Sequence, residues 1–274
     1  MLVRRPRDED AEVELALATL LAERESMGVR DHFVTVSVRH RDDAAWASRV
    51  CRWLSQHGRQ PIGRLRCTPS SELVRALEVS GAVVVMALSH VTPQIQRGLL
   101  GPGASSVGEL LLSAQGLRAR GIPVVARLGP LLPGLHGSVP EGLAAFRSLL
   151  SHVRVADVRE VEVVTGHLDR PRLECLSGHM GADARVELAR AFGVSTGELL
   201  MLDGQGTFTT GRRTMAPMVA SVFSLEIKAA IKREHLTIRM AGEAATRQSA
   251  LLGRVYAPVR RSLLAEADGA LVVS

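Results

Sequence analysis

Residues 83–137 read VVVMALSHVTPQIQRGLLGPGASSVGELLLSAQGLRARGIPVVARLGPLLPGLHG. A strongly apolar run ends at Ser89 and His90, and a short helical pattern, a Gly-Pro-Gly loop and a longer helical pattern follow. A second apolar run, residues 122–128, then stops at a Gly-Pro pair. This order predicts a β-α-β crossover with polar groups at the carboxyl ends of both strands, where α/β folds place their ligands.

The same alternation extends on both sides of this crossover. Further strands are predicted at 33–38, 62–67 and 158–164, and helices at 42–57, 70–79, 106–120 and 140–152. Apolar strands separated by helix-length segments are typical of a parallel sheet with right-handed crossovers. The fold class predicted is α/β with a mostly parallel sheet and a helical C-terminal appendage, and a resemblance of residues 83–137 to a family of barrel proteins implies that the sheet forms a partial (βα) barrel. Its neighbouring strands would hold Val34, Leu65, Val84, Val124 and Val161.

Three segments are predicted along the chain. Residues 1–30 hold an N-terminal helix, residues 31–168 form the partial barrel, and residues 169–274 form the mostly helical appendage. The appendage is distinguished by helical patterns near 183–193, 214–235 and 244–266, with no further strand pattern between them.

Composition limits the classes of protein that fit. Hydrophobic residues make up 46% of the 274 residues and charged residues 23%, which is ordinary for a globular protein. No apolar run approaches the ~20 residues that cross a membrane, and the charged N-terminus does not resemble a signal peptide. Three scattered cysteines favour a reduced, cytoplasmic setting. The formal net charge of +6 is compatible with nucleic-acid binding, although no arginine block is interleaved with aromatics.

The segment 83–137 resembles the second half of a radical S-adenosylmethionine (radical SAM) barrel. It is most similar to the branch of spore photoproduct lyase and DNA repair photolyase-like proteins. The sequence pattern of that family in this segment begins with a strand that ends in a polar residue. It continues with DPE-x-x-R-x-LEPGAPS, a helix ending in AG, and IPV-x-x-R-x-x-PLIPGLND. This sequence has LLGPGASS at 99–106, RGIPVVARLGPLLPGLHG at 120–137, and the same order of elements throughout.

The resemblance implies a ligand site at the ends of two strands. Ser89 and His90 stand where the family has polar residues facing the nucleoside at the end of the fourth barrel strand. Arg127 and Pro130 match the R-x-x-P of the fifth strand, and residues 133–135 match its PGL turn. These matches imply that Ser89, His90, Arg127 and Pro130 bind S-adenosylmethionine or a nucleotide.

Each of these residues also has a purely structural interpretation. A polar pair after a strand can simply begin a solvated loop, and a proline can set a rigid turn. Arg127 can pair with a local carboxylate such as Glu162 and only stabilise the barrel.

The sequence departs from the family at the residues that define its chemistry. Three cysteines spaced C-x3-C-x2-C ligate the [4Fe–4S] cluster in that family. Here Cys51, Cys67 and Cys175 are far apart, so no cluster is expected in the isolated chain. The first strand and the cluster loop are expected to be missing or to be supplied by a partner chain. A TKS motif of the same branch is also altered, because Pro69 follows Thr68 where a lysine is expected.

Two classes of function follow from the resemblance. The chain is either an enzyme, or half of one, that binds S-adenosylmethionine, or a non-catalytic relative that binds a nucleotide, nucleic acid or protein. A third interpretation is a TIR-like or flavodoxin-like signalling domain. Residues 34–58, VTVSVRHRDDAAWASRVCRWLSQHG, are similar to the start of a TIR domain, and Glu109 would then be the glutamate of an NAD-cleaving site.

Two weaker patterns concern metal and phosphate binding. His167, Cys175 and His179 form H-x7-C-x3-H, which is not a standard zinc spacing, so no metal site is predicted. The loop at 204–207 is glycine-rich but lacks the lysine and the strand-to-helix context of a P-loop.

Overall fold

The computed structural model describes residues 2–4, 13–26, 33–168, 176, 178–194 and 214–240. Strands and helices alternate through most of these ranges. The strands are β1 (Leu2–Arg4), β2 (Phe33–Val38), β3 (Gln60–Leu65), β4 (Val83–Leu88), β5 (Val124–Leu131), β6 (Glu160–Thr165) and β7 (Thr237–Met240). The helices are α1 (Val13–Ser26), α2 (Ala44–Gln56), α3 (Ser71–Val79), α4 (Pro93–Leu100), α5 (Val107–Ala119), α6 (Pro140–Val155), α7 (Ala182–Phe192) and α8 (Pro217–Arg233).

The strands follow one another in the sheet in chain order, from β1 to β7. β1 pairs with β2, β2 with β3, β3 with β4, and β5 with β6, always in parallel. This confirms the predicted α/β fold, a partial barrel with a mostly parallel sheet. The five strands predicted as neighbours are β2 to β6. A flavodoxin-like sheet has the order 2-1-3-4-5 instead, so the topology is that of the barrel prediction.

The sheet is longer than the sequence patterns indicated. The expectation that the first strand is missing was wrong, because β1 precedes α1 and Leu2 lies in register with Thr35 of β2. β7 likewise adds a strand within the segment predicted to be mostly helical. Strands of three and four residues, here Leu2–Arg4 and Thr237–Met240, are too short to show the alternation by which strands are recognised.

The chain divides into two compact units. The first combines residues 1–86, 113–125 and 240–274, and the second combines residues 87–112 and 126–239. In the first unit, α2 buries an apolar stripe that includes Trp46, Val50 and Leu54. Helical spacing of such residues predicts one buried face, and each fully buried side chain contributes about 1.5–3 kcal/mol.

The start of α3 illustrates how local sequence sets an element boundary in this unit. Ser70 has extended backbone, and its side-chain oxygen accepts a hydrogen bond from Leu73 N at 3.2 Å. This bond satisfies one of the amide groups that a helix leaves unpaired in its first turn. Ser70 is therefore the N-cap of α3.

The second unit has an apolar core of its own around α7. Leu176 and Met180, the α7 side chains and the segment after β5 all contribute to it. Its members are Ile95, Leu99, Leu132, Leu135, Leu168, Leu176, Met180, Ala184, Leu188, Ala189, Ala191, Phe192 and Val194. This core anchors the turn that follows β5, which carries the PGL match at residues 133–135.

β5 continues beyond its predicted end. The sequence placed the end of the strand at Leu128, but pairing with β6 resumes after a register shift, with Leu131 opposite Thr165. Gly129 allows this continuation because it has a φ of 136°, and any Cβ on it would collide with the carbonyl oxygen of Val164. Only glycine adopts such backbone readily and permits such an approach.

We expect Gly129→Ala to lower the free energy of unfolding by roughly 3 kcal/mol, because both the backbone angle and the contact with Val164 oppose a side chain. Gly116→Ala is the matched control. Gly116 lies in α5 with no atom near its would-be Cβ, so alanine should stabilise the protein by up to about 1 kcal/mol. Urea unfolding of both variants measures the difference, and equal stabilities would contradict the role given to Gly129.

Candidate functional site

The candidate site lies in the second unit, where β4 ends. The backbone N–H groups of Ser89 and His90 both donate to Gln96 Oε1, at 2.8 and 3.0 Å. Gln96 Nε2 in turn donates to the carbonyl oxygen of Ser105 at 3.1 Å. The Gln96 side chain is fully buried in α4. One amide therefore fixes both the strand end and the loop that leads into α5.

His136 joins the end of β4 to the turn after β5. Its Nδ1 accepts a hydrogen bond from Leu132 N at 2.9 Å, which requires that this nitrogen carry no proton. The proton of the neutral ring is then on Nε2, which donates to the carbonyl oxygen of Ser89 at 2.8 Å. His136 is completely buried, and its ring meets Phe146 edge to face. It acts as a neutral bridge between two loops.

His90 is the neighbour of this bridge. Its Nδ1 accepts from Thr92 N at 3.0 Å, and its ring meets that of His136 at a centroid distance of 5.8 Å and an angle of 77°. In the neutral ring the proton therefore lies on Nε2. Within the described ranges, no residue hydrogen-bonds this Nε2. His90 thus keeps one N–H donor that none of the described residues uses.

Both imidazoles are held neutral. Burial lowers the pKa of His90 to about 4. Burial also lowers the pKa of His136 to about 4, and the nearby His90 acts in the same direction, while the carbonyl oxygens of Ser89 and Leu132, which would accept from a protonated ring, oppose the shift. The two rings therefore offer hydrogen bonds at neutral pH and are poorly suited to exchange protons there.

Ser89 and Pro130 are also brought together. The Ser89 hydroxyl donates to the carbonyl oxygen of Pro130 at 3.3 Å, and Ser89 is completely buried. Of the four residues predicted to contact a ligand, Ser89, His90 and Pro130 therefore lie at the linked ends of β4 and β5. The backbone N–H, the carbonyl oxygen and the hydroxyl of Ser89 all take part in the hydrogen bonds that hold this arrangement.

Arg127 lies further back along β5. It is opposite Glu162 of β6 in the register, and Arg127 Nη1 is 3.8 Å from Glu162 Oε1. Both side chains are more than nine-tenths buried. The structural interpretation of Arg127 in the sequence predicted this ion pair with Glu162. A direct contact between Arg127 and a ligand stays a prediction.

Sequence reasoning missed Gln96 and His136, although both left a weak signal. Gln96 is a polar residue between Ile95 and Leu99 on the buried side of α4. His136 is a polar residue in an otherwise apolar turn. A polar side chain in an apolar pattern is usually buried with a hydrogen-bond partner, and here the partners are backbone groups of the loops that follow β4 and β5 and of the loop before α5.

The other candidate residues have structural explanations or lie outside the described ranges. Glu109 accepts hydrogen bonds from Ser106 N and Ser106 Oγ, at 2.9 and 2.8 Å, and so completes a capping box at the start of α5. Cys175 and the loop at 204–207 lie outside the described residues. Elsewhere in the described chain, no three His, Cys, Asp or Glu side chains are grouped to hold a metal ion. The helices that can be described are also too short or too polar to cross a membrane.

The two described cysteines are isolated thiols. Cys51 is buried in α2, and burial raises the pKa of its thiol to about 12. Cys67 follows β3, where burial and the nearby Asp43 raise the pKa of its thiol to about 11. Metal ligation requires the thiolate, so neither environment favours it.

Comparison with known structures agrees with the barrel. The chain aligns with a mutant spore photoproduct lyase bound to AdoMet and a dinucleoside spore photoproduct, with a TM-score of 0.54 and 10% identity. The alignment covers 84% of this chain and 65% of that one, so this chain spans about two thirds of the length of that protein. At this identity the likeness shows the fold alone.

A second solved structure, the HMG-CoA lyase from Brucella melitensis, aligns with 84% of this chain and 95% of its own, at 12% identity and a TM-score of 0.41. No protein-family model and no curated protein sequence matches the chain.

The neutral His136 bridge predicts a pH-dependent stability. With a pKa near 6.5 when unfolded and about 4 when folded, the unfolded state binds more protons between those values. The contribution of the neutral His136 to the free energy of unfolding is therefore complete above pH 6.5. This contribution falls by about 1–2 kcal/mol between pH 7 and pH 5. The stability gap between wild type and His136→Asn should narrow by that amount in urea unfolding at the two pH values.

His152→Asn is the control for this experiment, because His152 is exposed on α6. The gap between this variant and wild type should be the same at both pH values. Parallel pH profiles for wild type and His136→Asn would contradict the neutral bridge.

Proposed function

We propose that this protein is a radical SAM-like barrel that binds S-adenosylmethionine or a related nucleotide at the ends of β4 and β5, without an iron–sulfur cluster of its own. The observation that carries the proposal is the buried set of hydrogen bonds around Ser89, Gln96 and His136, next to which His90 Nε2 is a donor that none of the described residues uses. The shared barrel fold and the sequence resemblance at residues 83–137 support the same position.

In this proposal the residues have different tasks. His90 donates from Nε2 to an oxygen or nitrogen acceptor of the ligand. Gln96 and His136 are positioning residues, because they hold the backbone of Ser89 and His90 and make no contact with the ligand themselves. Preorganised donors of this kind lose little entropy when a ligand binds.

The residues do not fit a [4Fe–4S] cluster. Such a cluster requires three neighbouring thiolates, whereas Cys51 and Cys67 are separate buried thiols with raised pKa values. If a partner chain supplies the cysteine triplet, the pair would form an enzyme. Without such a partner, the chain is a binding protein, and a nucleic-acid or protein ligand is the alternative.

Calorimetry with S-adenosylmethionine tests the binding site. We expect wild type to bind and His90→Ala to bind about tenfold more weakly, since a hydrogen bond to a polar ligand is worth about 1–1.5 kcal/mol. His152→Ala, a change at an exposed histidine of α6, should bind as wild type does. Equal binding by His90→Ala and wild type would remove His90 from the site. If wild type binds none of S-adenosylmethionine, adenosine and AMP, the proposed nucleotide site is wrong. The alternative of a binding protein with a nucleic-acid or protein ligand then remains.

A second variant tests Arg127 in the same experiment. Arg127→Ala would remove the cation that faces the buried Glu162 carboxylate and destabilise the fold. Arg127→Lys keeps the positive charge and removes the planar fork of donors. We expect weaker ligand binding if Arg127 touches the ligand, and unchanged affinity would restrict Arg127 to its ion pair.

Anaerobic reconstitution with iron and sulfide tests the missing cluster. We expect iron well below stoichiometry and no visible charge-transfer absorbance, because no three cysteines are close in sequence. The triple variant Cys51→Ser, Cys67→Ser, Cys175→Ser is the comparison, and it should behave as wild type does. A stoichiometric cluster in wild type that this variant lacks would overturn the prediction.

A further inference from the structure

A group of arginines lies in the first unit, at the carboxyl ends of β2 and β3. Ser37 of β2 is in register with Arg64 of β3. Arg66 N donates to the carbonyl oxygen of Val38 at 3.0 Å, a bond of the last pair in this ladder, Val38 and Leu65. Ser37 and Arg64 share one face of the sheet, and Arg39 and Arg66 follow them at the same two-residue spacing, directly after the two strands.

This face is opposite to the one that packs on the helices. A Cβ on Gly63 would lie 2.9 Å from Leu77 Cδ2, so Gly63 faces α3. Leu65, two residues on, is completely buried on that same side. Arg64 lies between Gly63 and Leu65 and therefore faces away from the helices. Arg64 thus belongs to the other face of the sheet, which forms no part of the packing against α3, and Arg39 and Arg66 are placed at the carboxyl-end edge of the two strands.

The guanidinium groups at this edge are partly enclosed. Arg39, Arg64 and Arg66 are half-buried, and the Nε atom of each is shielded from solvent. Arg64 and Arg66 have further interaction partners in the protein. Arg39 Nε has no hydrogen-bond partner among the described residues. Arginines that end two neighbouring strands bring positive charge to one edge of the sheet, so this arrangement favours an added negative charge.

Nearby acids reduce this charge without cancelling it. Asp43 Oδ2 accepts from the backbone N–H groups of Arg39 and His40, at 2.8 and 3.0 Å, and so holds the strand end. Asp42 is also close, since both aspartates raise the pKa of the Cys67 thiol. Residues 39–43 and 64–66 together contain four arginines and two aspartates, so the region stays basic.

We propose that this edge binds a phosphoryl group, with Arg39 and Arg66 as its main donors and Arg64 and Ser37 beside them. Guanidinium groups match phosphate oxygens in two-pronged hydrogen bonds. A phosphate monoester carries nearly two negative charges at neutral pH, so it suits several arginines better than a carboxylate with one. The carboxyl ends of parallel strands are also where α/β folds bind ligands.

Calorimetry with inorganic phosphate tests this site directly. We expect wild type to bind and Arg39→Gln to bind about tenfold more weakly, because one charged donor is lost. Arg39→Lys should also bind more weakly, since lysine keeps the charge without the fork. Arg75→Gln is the control: it removes the same charge from an exposed position of α3 and should change the affinity less than about twofold.

Arg39 is the residue to change because substitution there leaves no described partner of its side chain unsatisfied, and circular dichroism would confirm that the variants fold. No phosphate binding by wild type would overturn the proposal. Equal weakening in Arg39→Gln and Arg75→Gln would also overturn it, because net charge alone would then explain binding.

The phosphate can belong to a free nucleotide or to a nucleic-acid backbone, and two further ligands separate these sources. If Arg39→Gln binds AMP more weakly than wild type but binds a short single-stranded oligonucleotide equally well, the phosphate belongs to a free nucleotide. Weaker binding of a short single-stranded oligonucleotide, with a steep dependence on salt, indicates a backbone phosphate. If Arg39→Gln weakens neither ligand, the proposal fails. Adenosine binding should not respond to Arg39→Gln, which keeps this test separate from the site at Ser89 and His90.

Discussion

Buried backbone groups at the end of a parallel strand must find hydrogen-bond partners, and this constraint determines the site. Past the last paired residue of β4, the sheet no longer supplies partners for Ser89 and His90. Gln96 accepts from both N–H groups, and His136 donates to the carbonyl oxygen of Ser89. Leaving such groups unsatisfied would cost about 1–3 kcal/mol each. The loops before α5 and after β5 are held in place by the same bonds.

The first unit meets the same constraint with a different residue. After β2, one oxygen of Asp43 accepts from two successive backbone N–H groups, just as Gln96 Oε1 does after β4. A carboxylate only accepts, whereas an amide also donates, and Gln96 uses its donor on Ser105. The choice of residue therefore follows from the backbone groups that need a partner, because only the amide can also donate. The bonding group itself is a negative carboxylate beside Arg39 and a neutral amide beside His90.

Sequence patterns were sufficient for strands β2 to β6 of the sheet, but not for its short outer strands or for the hydrogen bonds that organise its edge. Alternation of apolar runs and helical segments predicts β2 to β6, because each strand is long enough to show it. The ends of β4 and β5 were also predicted to meet, since parallel strands share an edge. The bond between His136 and Ser89 joins residues 47 positions apart, and no local periodicity reports such a contact. Arg127 and Glu162 were recognised as a potential pair only because strand neighbours can be matched by their order.

The fold does not depend on the chemistry of the family it resembles. Where a metal site forms together with the fold, loss of its ligands unfolds the protein. Here the cores of the two units are built from buried aliphatic side chains, and the strand ends are held by Gln96, His136 and Asp43. None of these interactions involves a cysteine thiolate. A barrel stabilised in this way keeps its strand ends ordered without a cluster, so the presence of the fold carries no information about catalysis. Its function has to be inferred from the donors that the strand ends leave for a ligand.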